Sequence, residues 1–463
     1  MLGKSGHGLL LVQDAQSLAN HYGGSLASVP LDWFHKWVTL GFSVVLLKNL
    51  WTCGGDKANR SNESCNAYFP KKSVGGSEGL AAFRQQANVL EILIVVDFCA
   101  NHVGADHALT YLRPDWLIAV SDGATSSSDG WTAREIDPGE VWSLAWGKDP
   151  NFPPIPNTQQ LNTTAPQLAN YWGEALLRLS TLSDGVFCSH AMLSLPESMK
   201  KTWGDLANPG MGGARLKDSP WPAMLSSARD LNPHFIALAE VFWGLEWDLM
   251  EQGFNFCLDQ RLMERVEKLD LQGIADHLGA GWEYSSRTIH RWPVEWNAPV
   301  ESNSSSEWMR WLLFLMTPGL KWIDSGFFDQ IFLKPTNQSL SGQFSVHDSL
   351  EWAKALENAS GFQVLSHEGN SDSRQSGVVG FAWSFDQPEQ TALELSKFLV
   401  VVVNNSDQMI YGNIFGAMHE PFQSQKLNLA RKIVLTNSSQ QKPDVEQFAI
   451  FPAKSCQIIR VGW

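Results

Sequence analysis

Residues Ile92–His107 read ILIVVDFCANHVGADH. The aliphatic run Ile92–Val96 is too short to span a membrane and rich in β-branched side chains, so it predicts a strand buried on both faces. Strands of that kind belong to parallel sheets. Asp97 ends the run, and Asn101 and His102 follow on the loop past the carboxyl end of the strand, where parallel α/β folds place their binding groups. An aspartate and an asparagine in such a place also satisfy backbone donors in a tight turn. The surrounding chain decides between the two roles.

On both sides of this stretch, apolar runs alternate with amphipathic segments, the signature of βα units. Toward the N-terminus lie a strand at Leu9–Val12, a helix at Pro30–Leu40, a strand at Phe42–Leu47 and a helix at Glu78–Val89. Toward the C-terminus come a Gly-, Pro-, Ser- and Trp-rich insertion at 103–161, a helix at Ala165–Ser180, and strands at Gly185–Cys188, Phe235–Val241 and Asn255–Leu258. Arg287–Arg291 and Gly319–Ile323 complete the set of strands, with a helix at Ser305–Met316 between them. From about Val378 the character changes to short strands separated by turns, with no helical period, as in an antiparallel sandwich.

Composition bounds the function classes. The 463 residues fit one α/β barrel and a smaller module. A formal net charge of -14 argues against nucleic acid or an anionic membrane surface as partner, since both require a basic face. No apolar run reaches the ~18 residues of a membrane helix. Tryptophan occurs 21 times against 6 tyrosines, and indole faces are surfaces on which sugar rings stack, although many of these rings belong to the core.

The cysteines show no metal-type spacing. Cys99, Cys188 and Cys257 fall in or beside strands and are expected as buried thiols, whereas Cys53 and Cys65 are near enough in sequence for a local disulfide. Leu9–Val12 is too short and too late for a secretory signal, which slightly favours a cytoplasmic location while leaving the location open. Eight N-x-[ST] triplets are present, of the kind that also arise by chance in a Ser- and Asn-rich chain.

D-F-x-x-N-H-x-G at Asp97–Gly104 resembles the first signature of the α-amylase family of glycoside hydrolases. W-x-x-L-G-F (Trp37–Phe42), G-L-A-A-F-R (Gly79–Arg84) and A-E-V-F-W-G-L-E (Ala239–Glu246) extend the resemblance over most of the chain. With the strand pattern, it sets the expected fold class as α/β. Residues 1–360 form a (β/α)8 TIM barrel with an irregular insertion subdomain at 103–161 after the third strand, and residues 361–463 a C-terminal antiparallel β-sandwich domain.

The resemblance also implies three acids at the carboxyl ends of barrel strands: a nucleophile, an acid/base and a transition-state stabiliser. Retaining hydrolysis needs two carboxyl groups about 5 Å apart. Glu240 takes the acid/base place, at the end of a hydrophobic strand that would raise its pKa towards working pH. Asp184–Leu193, DGVFCSHAML, is similar to the family's D-G-V-R-C-D-M-A-M-L, with Phe187 at the place of the substrate-orienting arginine and Ser189 at that of the nucleophile. Val294–Pro299, VEWNAP, stands at the family's E-N-H-D-E-P, with Trp296 for a substrate-binding histidine, Asn297 for the stabilising aspartate and Glu295 a displaced substitute. The remaining substrate contacts implied are Asp97, His102 and Trp243, with Asn66 replacing a stacking tyrosine.

A serine nucleophile needs an adjacent base. His190 follows Ser189 directly, but successive strand residues face opposite ways, so a dyad between them requires an irregular turn. Asp184 precedes its strand and lies at the wrong end of the barrel. Asn101 matches one ligand of the family's calcium site, but Asn157 and Leu193 stand where others belong. Hard cations want several oxygen ligands, so no metal is expected, and no cofactor.

The expected function is therefore an α-amylase-family homologue that acts on or binds an α-glucan or oligosaccharide, with hydrolysis lost or impaired. One alternative is an active retaining α-glucosidase or transglycosylase built on Glu240 with a non-standard nucleophile. The other is a scaffold or protein-interaction module, as in the non-catalytic heavy chains of certain amino-acid transporters on the same fold.

Overall fold

Eight of the aliphatic runs form strands β1 (Gly8–Asp14), β2 (Phe42–Lys48), β3 (Leu93–Cys99), β4 (Gly185–Ser189), β5 (Ile236–Ala239), β6 (Phe256–Leu258), β7 (Thr288–Arg291) and β8 (Leu320–Asp324). They close a barrel in the order β1-β8-β7-β6-β5-β4-β3-β2. Where the register is defined, as in β3 with β4, β4 with β5 and β8 with β1, the pairing is parallel. This computed structural model describes residues 5–54, 65–121, 130–207, 218–293, 296, 304–332, 346–365, 377–385, 396–408, 410–412, 431–436, 449–451 and 453–462.

The chain packs as two compact units: residues 1–12, 36–44 and 259–463 in one, and residues 13–35 and 45–258 in the other. In the second unit, Ile94, Val95 and Val96 of β3 are fully buried, as the run of β-branched residues requires of a strand covered on both faces. Gly185 opens β4 because a Cβ there would come within 2.4 Å of the Ile236 carbonyl oxygen on β5. The beginnings of β3 and β4 are tied by Asp184, which accepts from the Ile94 backbone N–H at 2.8 Å and from Arg84 Nη2 at 2.8 Å. Arg84 ends the G-L-A-A-F-R motif, so that motif serves the foot of the barrel.

The helix Pro166–Leu182 starts with proline at a position whose N–H has no intrahelical partner, and buries Leu168, Trp172, Leu176 and Leu179 on one face. The 103–161 insertion holds more order than its Gly, Pro and Ser content discloses. Ala119–Val120, Trp131–Asp137 and Glu140–Ala145 form a three-stranded antiparallel sheet, and Thr158–Gln160 pairs with His102–Gly104.

Cys53 and Cys65 face each other across an antiparallel ladder, yet no disulfide forms among the described residues. The expected local disulfide is thus absent. The Cys53 thiol instead donates to the Trp51 carbonyl at 3.4 Å.

The first unit contains a five-stranded antiparallel sheet, ordered Gly361–Val364, Val378–Ser384, Ser396–Asn404, Ser455–Gly462 and Arg431–Thr436, and a two-stranded ribbon of Ile410–Gly412 with Ala449–Phe451. Its side of the barrel carries a buried polar layer. Asp259 caps the helix Gln260–Lys268 by accepting from the Leu262 N–H at 3.1 Å, and its other oxygen meets His277 Nε2 at 2.6 Å and His290 Nε2 at 3.9 Å. Lys321 Nζ contacts His290 Nδ1 at 2.8 Å and donates to the Pro318 carbonyl at 2.9 Å.

Burial works to raise the Asp259 carboxyl, but the hydrogen bonds from His277 and His290 outweigh it and hold it below the usual range. Burial, then the neighbouring Lys321, pushes His290 down to about 4. Burial likewise holds Lys321 well below the ordinary lysine value. Trp292, Trp296, Trp311, Phe314 and Phe327 form an aromatic cluster in the same unit, Trp292 meeting Trp296 edge-on at 4.9 Å. No helix among the described residues is long and apolar enough to cross a membrane.

Candidate functional site

The carboxyl ends of β3, β4 and β5 bring Cys99, His102, Ser189, His190 and Glu240 to one mouth. Glu240 follows β5 directly, and its N–H donates to the Cys188 carbonyl on β4 at 2.9 Å, which fixes the two strand ends together. After Ser189 the backbone turns through His190 in the left-handed region, at φ 54°. This is the irregular turn that a Ser189/His190 dyad would need, but it serves another contact. The His190 N–H donates to Glu240 Oε2 at 2.9 Å, and Nδ1 of the same ring lies 3.7 Å from that oxygen.

No hydrogen bond joins Ser189 to His190 among the described residues. The Glu240 side chain is 25% exposed. His190 is its side-chain neighbour, and the carboxyl is partly open to solvent at the strand end.

His102 is buried at 1% exposure. Cys99 Sγ is 3.8 Å from each of its ring nitrogens, and the His190 ring stands 5.7 Å away, centroid to centroid. Gly147 of the insertion lies on the His102 ring, and a Cβ there would come within 2.8 Å of Cγ. The ring expected to touch sugar is therefore roofed by the insertion. Asn101, matched to a calcium ligand, has its side-chain oxygen occupied by Gln160 Nε2 at 2.9 Å. Among the described residues no group of three or more His, Cys, Asp or Glu is arranged to hold a metal ion.

Phe187 and Asp97 are register partners on β4 and β3. Phe187 is 1% exposed, and Lys48, the residue that ends β2, places its ammonium 5.4 Å from the Phe187 ring centroid. Asp97 Oδ1 is enclosed without a hydrogen-bond partner. Burial pushes its carboxyl up from 3.8 to about 6, against the opposing pull of Lys48.

The folded chain thus holds the Asp97 proton more tightly than the unfolded chain. Stability from that proton is fully present below the unfolded pKa of 3.8 and lost as pH rises through about 6. Asp97→Asn carries no such titration. Relative to this variant, the native chain should lose about 2–3 kcal/mol of stability between pH 4 and pH 7 in urea unfolding. Parallel curves for the two proteins would contradict this reading.

Trp243, three residues past Glu240, also lies in the left-handed region, at φ 66°, which is rare for a bulky side chain. Lys201 Nζ sits 5.4 Å from its ring centroid. Trp296 meets Trp292 at 4.9 Å and Arg310 at 5.9 Å, so its ring is engaged in the aromatic cluster. Asn297 and Glu295 lie outside the described residues, as does the side chain of Asn66.

Sequence reasoning singled out neither Lys48 nor Lys201. Lys48 carried a signal, as the one charge ending an otherwise apolar strand. Lys201 carried none, because its meeting with Trp243 joins segments that follow different strands.

No protein-family model matches the chain, and no curated protein does. Solved structures do. An α-amylase from Geobacillus thermoleovorans, complexed with acarbose, matches at TM-score 0.64 and 12% identity, covering 100% of each chain. An α-amylase from H. orenii matches at TM-score 0.63 and 13% identity, covering 98% of this chain and 99% of its own. The debranching enzyme of Nostoc punctiforme, soaked with acarbose, matches at TM-score 0.61 and 15% identity over 100% of both. At these identities the likeness speaks for architecture, and it agrees with the closed eight-stranded barrel and the antiparallel sheet that follows it: the chain has the α-amylase fold.

Proposed function

We propose that the chain is a divergent relative of the α-amylase family that binds an α-glucan-type saccharide at the barrel mouth and has lost hydrolysis by double displacement. Residues 1–360 form the binding body and 361–463 an accessory module. The observation that carries this reading is the end of β4. It offers Ser189 where a carboxylate would have to attack, and the next residue, His190, turns back to hold Glu240. A lone carboxyl group can protonate a leaving oxygen, but double displacement needs a second one to attack the anomeric carbon.

In this reading Glu240 keeps the acid/base position, while Ser189 and Asn297 occupy the nucleophile and stabiliser positions. Trp243 faces the ligand, and the enclosed Asp97 and Phe187 support the mouth from β3 and β4. His102 supports His190 from beneath the insertion, and Trp296 keeps the place of the family's substrate-binding histidine. The fold likeness to structures of acarbose-bound proteins supports a saccharide ligand.

The test pairs turnover with binding. Purified chain should release no chromophore from an activated aryl α-maltooligosaccharide above the background of Glu240→Gln, and should bind maltotriose in calorimetry. Release that disappears in Glu240→Gln would instead mean an active glycosidase with a replaced nucleophile. Absence of both release and binding would leave the scaffold reading.

A further inference from the structure

Basic side chains stand on the segments past the strand ends of a chain that is acidic as a whole. Overall there are 48 acidic residues against 34 basic ones. Lys48 nevertheless ends β2, and Lys71 and Lys201 lie on the segments that follow β2 and β4. Lys48 lies over Phe187, and Lys71 Nζ donates to the Asn49 carbonyl at 3.1 Å, just past the end of β2. Lys201 makes no ion pair among the described residues, and its ammonium lies 5.4 Å from the Trp243 ring centroid.

Trp243 is half-buried and presented by a backbone held at φ 66°. Left-handed conformations of bulky residues carry a cost of about 1–3 kcal/mol and gather at ligand-binding sites. An indole offers an apolar face to the C–H surface of a pyranose. An ammonium beside it offers a charge-assisted hydrogen bond to whatever anionic group that ring carries. Lys201 follows β4 and Trp243 follows β5, on the segments that leave the carboxyl ends of the strands carrying Ser189 and Glu240.

We infer that Trp243 and Lys201 form a subsite for an acidic sugar residue, a uronate, with the pyranose stacked on the indole and its carboxylate paired with Nζ of Lys201. The inference rests on the saccharide-binding reading above and gives it a substrate class: glycans containing uronic acid in preference to neutral α-glucans. Lys201 is exposed and solvated in the absence of ligand. Its long side chain can leave the indole face to meet the carboxylate without disturbing the helix Pro196–Trp203 that carries it.

The test is calorimetric titration of the full chain with trigalacturonate and with maltotriose. Trigalacturonate should bind about tenfold more tightly at low salt, the range expected of one charge-assisted contact. That advantage should shrink in molar salt and disappear in Lys201→Gln, whose circular dichroism checks that the fold is intact. Trp243→Ala should weaken both ligands.

Equal affinity for the two ligands, or a preference that survives Lys201→Gln, would overturn the uronate subsite. Binding of maltotriose alone would do the same while leaving the saccharide-binding reading standing. Failure of both ligands to bind would sink the two together.

Discussion

Restoring Phe187→Arg, Ser189→Asp and Asn297→Asp together is expected to raise turnover of an activated aryl α-maltooligosaccharide by about 10³-fold or more, whereas Ser189→Asp alone should stay within about tenfold of the native chain. The reason lies in the pairing of β3 with β4. Phe187 sits beside Asp97 in register and leaves that carboxyl enclosed, with one oxygen lacking a hydrogen-bond partner and a pKa pushed up to about 6. A second carboxylate added at 189 would enter a mouth whose Asp97 already resists ionisation, and the two would work against each other.

An arginine at 187 changes both. It places a fixed positive charge next to Asp97, favours its ionised form and supplies donors for the new aspartate. In the proposed reading, the third change returns charge to the stabiliser position, where developing positive character on the sugar needs it. Initial-rate assays on the single, double and triple variants check the argument. Full activity from Ser189→Asp alone would refute the cooperative loss, and a triple variant that folds but stays inert would show that further parts of the machinery are gone.

The largest effect on stability is expected at Asp259. Removing it by Asp259→Ala takes away a helix cap and leaves His277 and His290 without their shared acceptor inside a buried layer. Breaking one member of a buried charged set costs about 3–5 kcal/mol, more than an ordinary core truncation to a smaller aliphatic. Asp259→Asn keeps an acceptor for the cap and should lose less. Because the folded Asp259 is held below its unfolded pKa of 3.8, its contribution is present above that pH and lost as the pH falls. The gap between the native chain and Asp259→Asn in urea midpoint should therefore narrow in acid. An Asp259→Ala chain as stable as the native one would mean that the layer is not held through this carboxylate.

The barrel was legible because its strands are short apolar runs bounded by turn residues, and all eight run positions read from sequence coincide with observed strands to within a few residues. The periodicity of Ser305–Met316 gave its helix to the residue. Order inside the insertion was not legible. Trp131–Asp137 and Glu140–Ala145 pair around a tight turn without the aliphatic content that marks the barrel strands, so tertiary pairing rather than local preference makes them strands.

At the site, motif spacing located Glu240, Ser189 and Phe187 on neighbouring strand ends. It could not show that His190 would turn left-handed onto Glu240, that Gly147 would cover His102, or that Trp296 would be drawn into an aromatic cluster. Each of these is set by contacts between segments far apart in sequence. The buried polar layer was missed for the same reason, since Asp259, His277, His290 and Lys321 are brought together from four separate segments.

The left-handed turns at the barrel mouth carry a further meaning. Asn49, His190 and Trp243 stand just past the carboxyl ends of β2, β4 and β5. Glycine at the last two places would relieve strain of about 1–3 kcal/mol each. A barrel kept merely as a support gains from such replacements, and random mutation supplies them at little risk. An imidazole and an indole at these two places instead leave the mouth less stable than it could be. That cost accords with the proposed reading, in which His190 holds Glu240 and Trp243 meets the ligand.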